Sequence, residues 1–387
     1  MKKQVTLFKN ARIFLLERVI DQGWMLVNER GKIEEIGEGD PVTLDHDISV
    51  DVQGKSIIPG LIDVHIHGGN GYSFMDGSYE SLAEISAFHA KHGTTSFLAT
   101  TSTASKENII KALNCAAESY EKGMPGADLV GVHLEGPFIN VKRSGAQEKS
   151  DIRLPSIEEI DEYLQASNHL IKLVTLAPEV ENGYEAVKHF NDQGVTVSIG
   201  HSDANFNEVL EAVQVGAAHT THHFNGMSPL HHREPGVAGA GMALNELTTE
   251  IIADGIHVHP EVVKLLFDVK GVWNTCAITD AVFCAGLPDG EYERVYVTKG
   301  QVYLSDGSTL AGSTLTMIQS LKNVTSFTGY SLFEVLPSYT MVPARQAKID
   351  HLKGSLEKGK DADLLIVDDE LSIQSTYVKG IEVYRQS

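Results

Sequence analysis

Eight short apolar runs alternate with amphipathic stretches along the middle of this chain, and few folds accommodate such an alternation. The runs are Leu61 to His67, Thr95 to Ala99, Leu129 to Leu134, Ile171 to Leu176, Val195 to Ile199, Ala218 to His223, Glu250 to Ala253 and Asn274 to Thr279. Each has the length of a strand, and near-continuous apolar character is what a strand covered on both faces requires. Between them Tyr79 to Lys91, Lys106 to Lys122, Ser156 to Ser167, Gly183 to Asp192, Asn205 to Val215, Pro260 to Val269 and Ser313 to Thr328 read as helices. Ser156 and Glu159 have the spacing of a capping box. The pattern predicts an α/β protein built on a (β/α)8 barrel of the TIM type. A doubly wound open sheet is the alternative.

The ends of the chain read differently. Residues 1–58 hold short strand-like runs such as Gln4 to Phe8, Trp24 to Val27 and Ile48 to Val52, separated by turn residues such as Glu38-Gly39-Asp40-Pro41. This region is too short to close a good core alone. Residues 343–387 offer the complement in Ala362 to Val367 and Ser375 to Tyr384. The expected organisation is a small β-sandwich domain built from both chain termini, 1–58 and 343–387, around a barrel spanning 59–342.

Charge excludes one class of partner. A formal net charge of -21 repels phosphate backbones and argues against nucleic acid. No apolar run approaches the roughly 20 residues of a membrane span, and Lys9, Asn10 and Arg12 interrupt the apolar stretch a signal peptide would need. The expectation is a cytoplasmic protein, without a membrane or nucleic acid partner. Cys115, Cys276 and Cys284 show no zinc-type pairing and are read as reduced, buried thiols.

In a barrel of this type catalytic groups sit at the C-terminal strand ends, and the unusual polar residues fall there. The first run ends in His65 and His67, which share a face because side chains alternate along a strand. The third ends at Glu135, the fifth leads into His201, the sixth into His222 and the eighth into Asp280. Four histidines and two carboxylates suit one or two divalent cations, with Glu135 able to bridge. Donors of this kind accept zinc, iron, manganese or cobalt alike.

The motifs His133-Leu134-Glu135-Gly136-Pro137-Phe138, Gly200-His201-Ser202-Asp203-Ala204, Thr221-His222-His223-Phe224-Asn225-Gly226-Met227, Arg233-Glu234-Pro235-Gly236 and Ala253-Asp254-Gly255-Ile256-His257 carry a resemblance over nearly the whole chain. The chain resembles the amidohydrolase superfamily, within it the branch that deacetylates phosphorylated amino sugars. The resemblance implies metal-dependent hydrolysis of the acetamido group of N-acetyl-D-glucosamine 6-phosphate, in amino-sugar catabolism and recycling. It implies a main metal site at Glu135, His201 and His222, and a second at His65 and His67 that single-metal members lack. Asp280 matches the catalytic acid/base; Asn225, Gly226, Arg233 and His257 match sugar-phosphate contacts. The resemblance further implies a homodimer in which Arg233 reaches the neighbouring subunit's site. One departure stands out: many relatives place a histidine where this chain has Gln147, whose amide donates a hydrogen bond but carries no charge.

The other histidines take structural readings. His89, His92, His46, His169, His189 and His351 lie far in sequence from the strand ends, His223 is read as packing behind the wall, and His133 as support for Glu135. His231 and His232 are candidates for the entrance, Asp63 for orienting a ligand, and Cys284 for a place near the pocket without chemistry. The rival functions are an amidohydrolase acting on a different acetylated or cyclic amide and a barrel scaffold without catalysis.

Overall fold

The computed structural model describes residues 4–41, 44–305, 307 and 309–386. Eight parallel strands lie side by side in chain order: Leu61–Ile66, Thr94–Thr100, Asp128–Glu135, Ile171–Leu176, Thr196–Ile199, Ala217–Thr220, Thr248–Ile252 and Thr275–Ile278. The ring closes at its C-terminal rim, where Asp280 N–H donates to His65 O at 3.0 Å and His67 N–H to Ala281 O at 2.9 Å. Asp63, fully buried on the first strand, reinforces this closure. Its carboxylate accepts the His65 N–H at 3.1 Å and the Thr279 hydroxyl at 2.6 Å. The architecture is the predicted (β/α)8 barrel.

Each barrel strand is followed by a helix: Tyr79–Lys91, Lys106–Lys122, Ile157–Ala166, Gly183–Asp192, Phe206–Gln214, Gly236–Ala243, Pro260–Lys270 and Met317–Thr328. Local chemistry sets several starts, because Ser78, Ser105 and Ser156 each accept a hydrogen bond from a first-turn N–H. The box expected at Ser156 is only half made, since Glu159 turns instead to Arg153 at 2.8 Å. Among these eight helices a complete box is made at Asn205 and Glu208. Gly236–Ala243 was not expected as a helix. Its glycines lower helix propensity, yet a Cβ on Gly241 would stand 2.4 Å from the His223 ring, so close packing requires them.

The last helix also starts later than the sequence pattern suggests. Ser313 belongs to a four-stranded antiparallel sheet, Gly290–Tyr292, Val295–Thr298, Gln301–Leu304 and Leu310–Ser313, inserted between the eighth strand and its helix. Ser313 N–H donates to Asp280 O at 2.8 Å, tying this insertion to the rim of the barrel.

Strands from both termini form one further eight-stranded sheet. Its junction is the antiparallel pair of Leu364–Val367 with Ser56–Pro59, in which Leu364 faces Pro59 and Val367 faces Ser56. Alternation divides Leu364–Val367 between two cores. Leu364 and Ile366 pack with Phe8 and Ile13 inside the terminal unit, whereas Leu365 and Val367 pack with Leu61, Leu266 and Leu336 against the barrel. Lys353, 3% exposed, adds a polar tie: its Nζ lies 2.6 Å from Asp363 and 3.2 Å from both Asp361 and Asp128, the last at the start of the third barrel strand. No helix among the described residues is long and apolar enough to cross a membrane.

Candidate active site and metal centre

The strand ends bring six predicted residues to one place. Glu135 closes the third strand, while His67, His201, His222 and Asp280 lie one or two residues beyond their strands. His201, His222 and Asp280 have φ of 48°, 28° and 50°. This left-handed region is uncommon for residues other than glycine and turns each side chain inward over the barrel mouth. The sixth strand therefore stops at Thr220, short of the predicted His223. A turn, not strand alternation, separates inward His222 from His223, whose nitrogens bond Thr220 Oγ1 and Ala238 O at 3.0 Å.

Two groups of donors result, His65, His67 and Asp280 in one and Glu135, His201 and His222 in the other; the ligand atoms within each lie within 4.8 Å of one another. Glu135 stands between them. Its Oε1 is 3.4 Å from His65 Nε2, 3.3 Å from His201 Nε2 and 3.2 Å from His222 Nε2, and its Oε2 is 3.3 Å from His67 Nε2. Asp280 Oδ1 is 3.2 Å from His67 Nε2 and 3.5 Å from His65 Nε2.

Outer hydrogen bonds fit these histidines to hold cations. His201 Nδ1 donates to Arg143 O at 2.7 Å, His222 Nδ1 to Asn225 O at 3.0 Å and His65 Nδ1 to Glu250 Oε2 at 3.0 Å. Each bond leaves the Nε2 lone pair of a neutral ring facing the centre. His201 Nε2 and His222 Nε2 stand 3.1 Å apart, and buried His65 Nε2 has no hydrogen-bond partner. Facing lone pairs beside two carboxylates call for positive charge between them. The same demand shows in the protonation of the rings: burial disfavours a charged His65 or His67, but Glu250, Asp280 and Glu135 lift His65 well above its ordinary value. Hydrogen bonds and charge from Asp280 and Glu135 push His67 up to about 9. The donor set suits divalent cations.

Behind these groups lies further support, of which only His133 was anticipated from the sequence, there for Glu135. Glu250, fully buried on the seventh strand, accepts from His65, from the His222 N–H at 2.8 Å and from His219 Nε2 at 3.2 Å. Ser102 Oγ is 3.3 Å from His67 Nδ1. His133 packs edge-on to His65, with ring centroids 4.5 Å apart. Burial pushes its pKa down to about 3, and its nitrogens bond Val64 O and the Thr175 hydroxyl, which leaves neither free for a cation. The signal for Glu250 was its type, a lone carboxylate within an apolar strand.

Above the donors opens a cavity of about 430 Å³, lined by His67, Glu135, Gln147, Asn225, Gly226, His257 and Asp280 among others. Gln147 Nε2 donates to Glu135 Oε2 at 2.6 Å, and its Oε1 accepts the Thr103 N–H at 2.7 Å. Gly226 has φ of 59°, and a Cβ there would lie 3.0 Å from His201 Nδ1. His257 Nδ1 donates to Asp254 Oδ2 at 2.7 Å, leaving its other nitrogen for the cavity. Burial opposes a charged His257, but Asp254 and Asp280 lift it above its ordinary value. Glu293 and Arg294 of the inserted sheet also line the opening, a contribution not anticipated from the sequence.

Arg233, expected to serve the neighbouring subunit, and His231, His232 and Cys284 do not line this cavity within one chain. Arg233 lies on an exposed loop, its Nη1 2.8 Å from His232 Nε2, and does not line the cavity. His231 and His232, expected at the entrance, sit on the same exposed loop and do not line the cavity of their own chain. Cys284 lies near the cavity without facing it, buried in an apolar cluster whose members Phe283 and Ala311 do line the cavity.

Comparison with known proteins agrees with this geometry. Residues 56–383 match the model of the Amidohydrolase family. An N-acetylglucosamine-6-phosphate deacetylase of Bacillus subtilis (strain 168) is 40% identical over 97% of this chain and 96% of its own length. An N-acetylgalactosamine-6-phosphate deacetylase of Escherichia coli O157:H7 is 37% identical over 84% of this chain and 86% of its own. Among solved structures, the N-acetylglucosamine-6-phosphate deacetylase of Pasteurella multocida superposes with a TM-score of 0.92 at 32% identity, covering 99% of this chain and 100% of that one.

Proposed function

We infer the reaction from kinship and geometry together: the chain belongs to the amidohydrolase family. It hydrolyses the acetamido group of N-acetyl-D-glucosamine 6-phosphate, giving glucosamine 6-phosphate and acetate. The observation that carries this reading is the cavity itself, where a carboxylate shared by two donor groups lines the same space as the polar groups of Asn225, Gly226 and His257.

Glu135, His201 and His222 would hold one cation and His65, His67 and Asp280 a second; zinc, iron, manganese and cobalt all suit the donors. A divalent cation in such a site lowers the pKa of water from about 15.7 towards about 7 and polarises a carbonyl oxygen. Asp280 takes the proton of the attacking water. As the water oxygen bonds to the carbonyl carbon and the C–N bond breaks, Asp280 delivers that proton to the departing amine. Gln147, already held at Thr103, presents its amide N–H as a neutral donor to the substrate carbonyl. His257, whose cationic form Asp254 favours, holds the phosphate together with Asn225 and the Gly226 backbone.

We take the enzyme to be a cytoplasmic homodimer in which Arg233 completes the phosphate site of the second copy. The exposed loop bearing Arg233 and three free, buried cysteines are in keeping with that reading. The test of the substrate compares acetate release from the phosphorylated sugar, its unphosphorylated form and the galacto epimer. Equal KM values with and without phosphate would refute the phosphate assignment, and a preference for the epimer would move the enzyme to the other deacetylase activity found among its relatives.

A further inference from the structure

Glu250 touches both donor groups without facing the cavity. One of its oxygens, Oε2, accepts the Nδ1–H of His65 at 3.0 Å and the backbone N–H of His222 at 2.8 Å; the other accepts from His219 at 3.2 Å. A single oxygen thus holds a member of each group. An ionised carboxylate loses several kcal/mol on leaving water unless its partners compensate, and here two of the three contacts are to members of the donor groups. Glu250 also lies within 4.8 Å of His65 and His133, but this is not a further metal site. The His65 nitrogen facing Glu250 is a donor to it, and both nitrogens of His133 are engaged by protein.

We propose that Glu250 is a positioning residue for the metal centre. It fixes the His65 tautomer whose Nε2 faces the cation and makes that nitrogen a stronger donor. Its hold on the His222 N–H sets the left-handed turn that aims the second group. The proposal rests on the metal reading above. Outer hydrogen bonds of this kind change metal affinity by about 10- to 100-fold.

The test strips the full-length protein with chelator, reloads it with cobalt(II), counts metal per chain and measures affinity against a competing chelator. Glu250→Ala is expected to weaken the cation held through His65 by about 10- to 100-fold. Glu250→Gln keeps an acceptor oxygen without the charge and falls between. With His65 already replaced by Ala, Glu250→Ala should weaken the remaining cation clearly less than it does in the parent, since only the His222 contact is then left to lose. Unfolding midpoints of the metal-free proteins separate lost folding from lost affinity. Parental cobalt affinity in both Glu250 variants, or the same weakening in the His65→Ala background, would overturn the proposal. If Glu250→Ala does not fold, Glu250→Gln decides alone, supporting the role if affinity falls and refuting it if affinity is parental. A parent that holds one cation sinks the two-metal reading instead, and the affinity of that one cation then decides the role of Glu250.

Discussion

Asp280 and His257 carry distinct duties, and single substitutions should separate them. Asp280→Asn removes the proton carrier and is expected to lower kcat by at least about a hundredfold, the scale of general acid–base catalysis. Metal should remain bound through the other donors, so metal content and rate are measured on the same sample. A near-normal kcat would remove Asp280 from this role. For His257 the signature is pH. Its ring lies above its ordinary pKa because Asp254 and Asp280 outweigh burial. The cationic form, and with it the phosphate contact, is present below that raised pKa and is lost as pH climbs through it. KM for the phosphorylated sugar should therefore rise on the alkaline side. His257→Asn should raise KM about tenfold or more, the loss of a charge-assisted hydrogen bond of roughly 1.5 kcal/mol, and flatten the pH profile. At this scale the sequence was informative where a residue type was out of place at a strand end, as with His65, Glu135 and His201. It was silent where support comes from another strand. Glu250 and His65 are 185 residues apart, so nothing local links them.

Elements were legible where hydrophobic periodicity and capping agreed, and hidden where tertiary packing overrode propensity. Tyr79–Lys91 and Lys106–Lys122 have serine caps and buried apolar faces, and their limits matched the pattern. Gly236–Ala243 has neither a capping side chain nor a polar face, because its glycines let it press on His223. That conflict makes a prediction of unusual sign. Replacing Gly by Ala inside a helix ordinarily stabilises by about 0.5–1 kcal/mol. Gly241→Ala should instead destabilise by about 1–3 kcal/mol, because the new methyl meets a ring pinned by two hydrogen bonds. Thermal unfolding decides, and a raised midpoint would show that the helix has room to move. The inserted sheet was missed for another reason: its strands are only three or four residues long, below the length at which alternation stands out from noise.

At the scale of the whole molecule, the barrel supplies all six central donors and the terminal sheet supplies none. The terminal strands instead seal the barrel's flank through Leu365 and Val367 and through the Lys353 ion-pair cluster. Both ends of the chain were recognisable as complementary strands, and they pair through contacts some 300 residues apart, such as Leu364 with Pro59. Assembly offers a direct test of the second copy's role. If each site draws Asp280 from one chain and Arg233 from the other, mixing Asp280→Asn and Arg233→Ala chains should regenerate about a quarter of parental activity, from the one intact site in each mixed dimer. Activity no greater than the sum of the separate variants would place Arg233 outside the partner's site. The central claim is metal-dependent deacetylation at the Glu135 centre. Its most direct measurement is acetate release from N-acetyl-D-glucosamine 6-phosphate by protein stripped of metal and then titrated with zinc, manganese, cobalt or iron. Activity should be absent in the stripped protein and return in step with bound metal; full acetate release by metal-free protein would contradict the account.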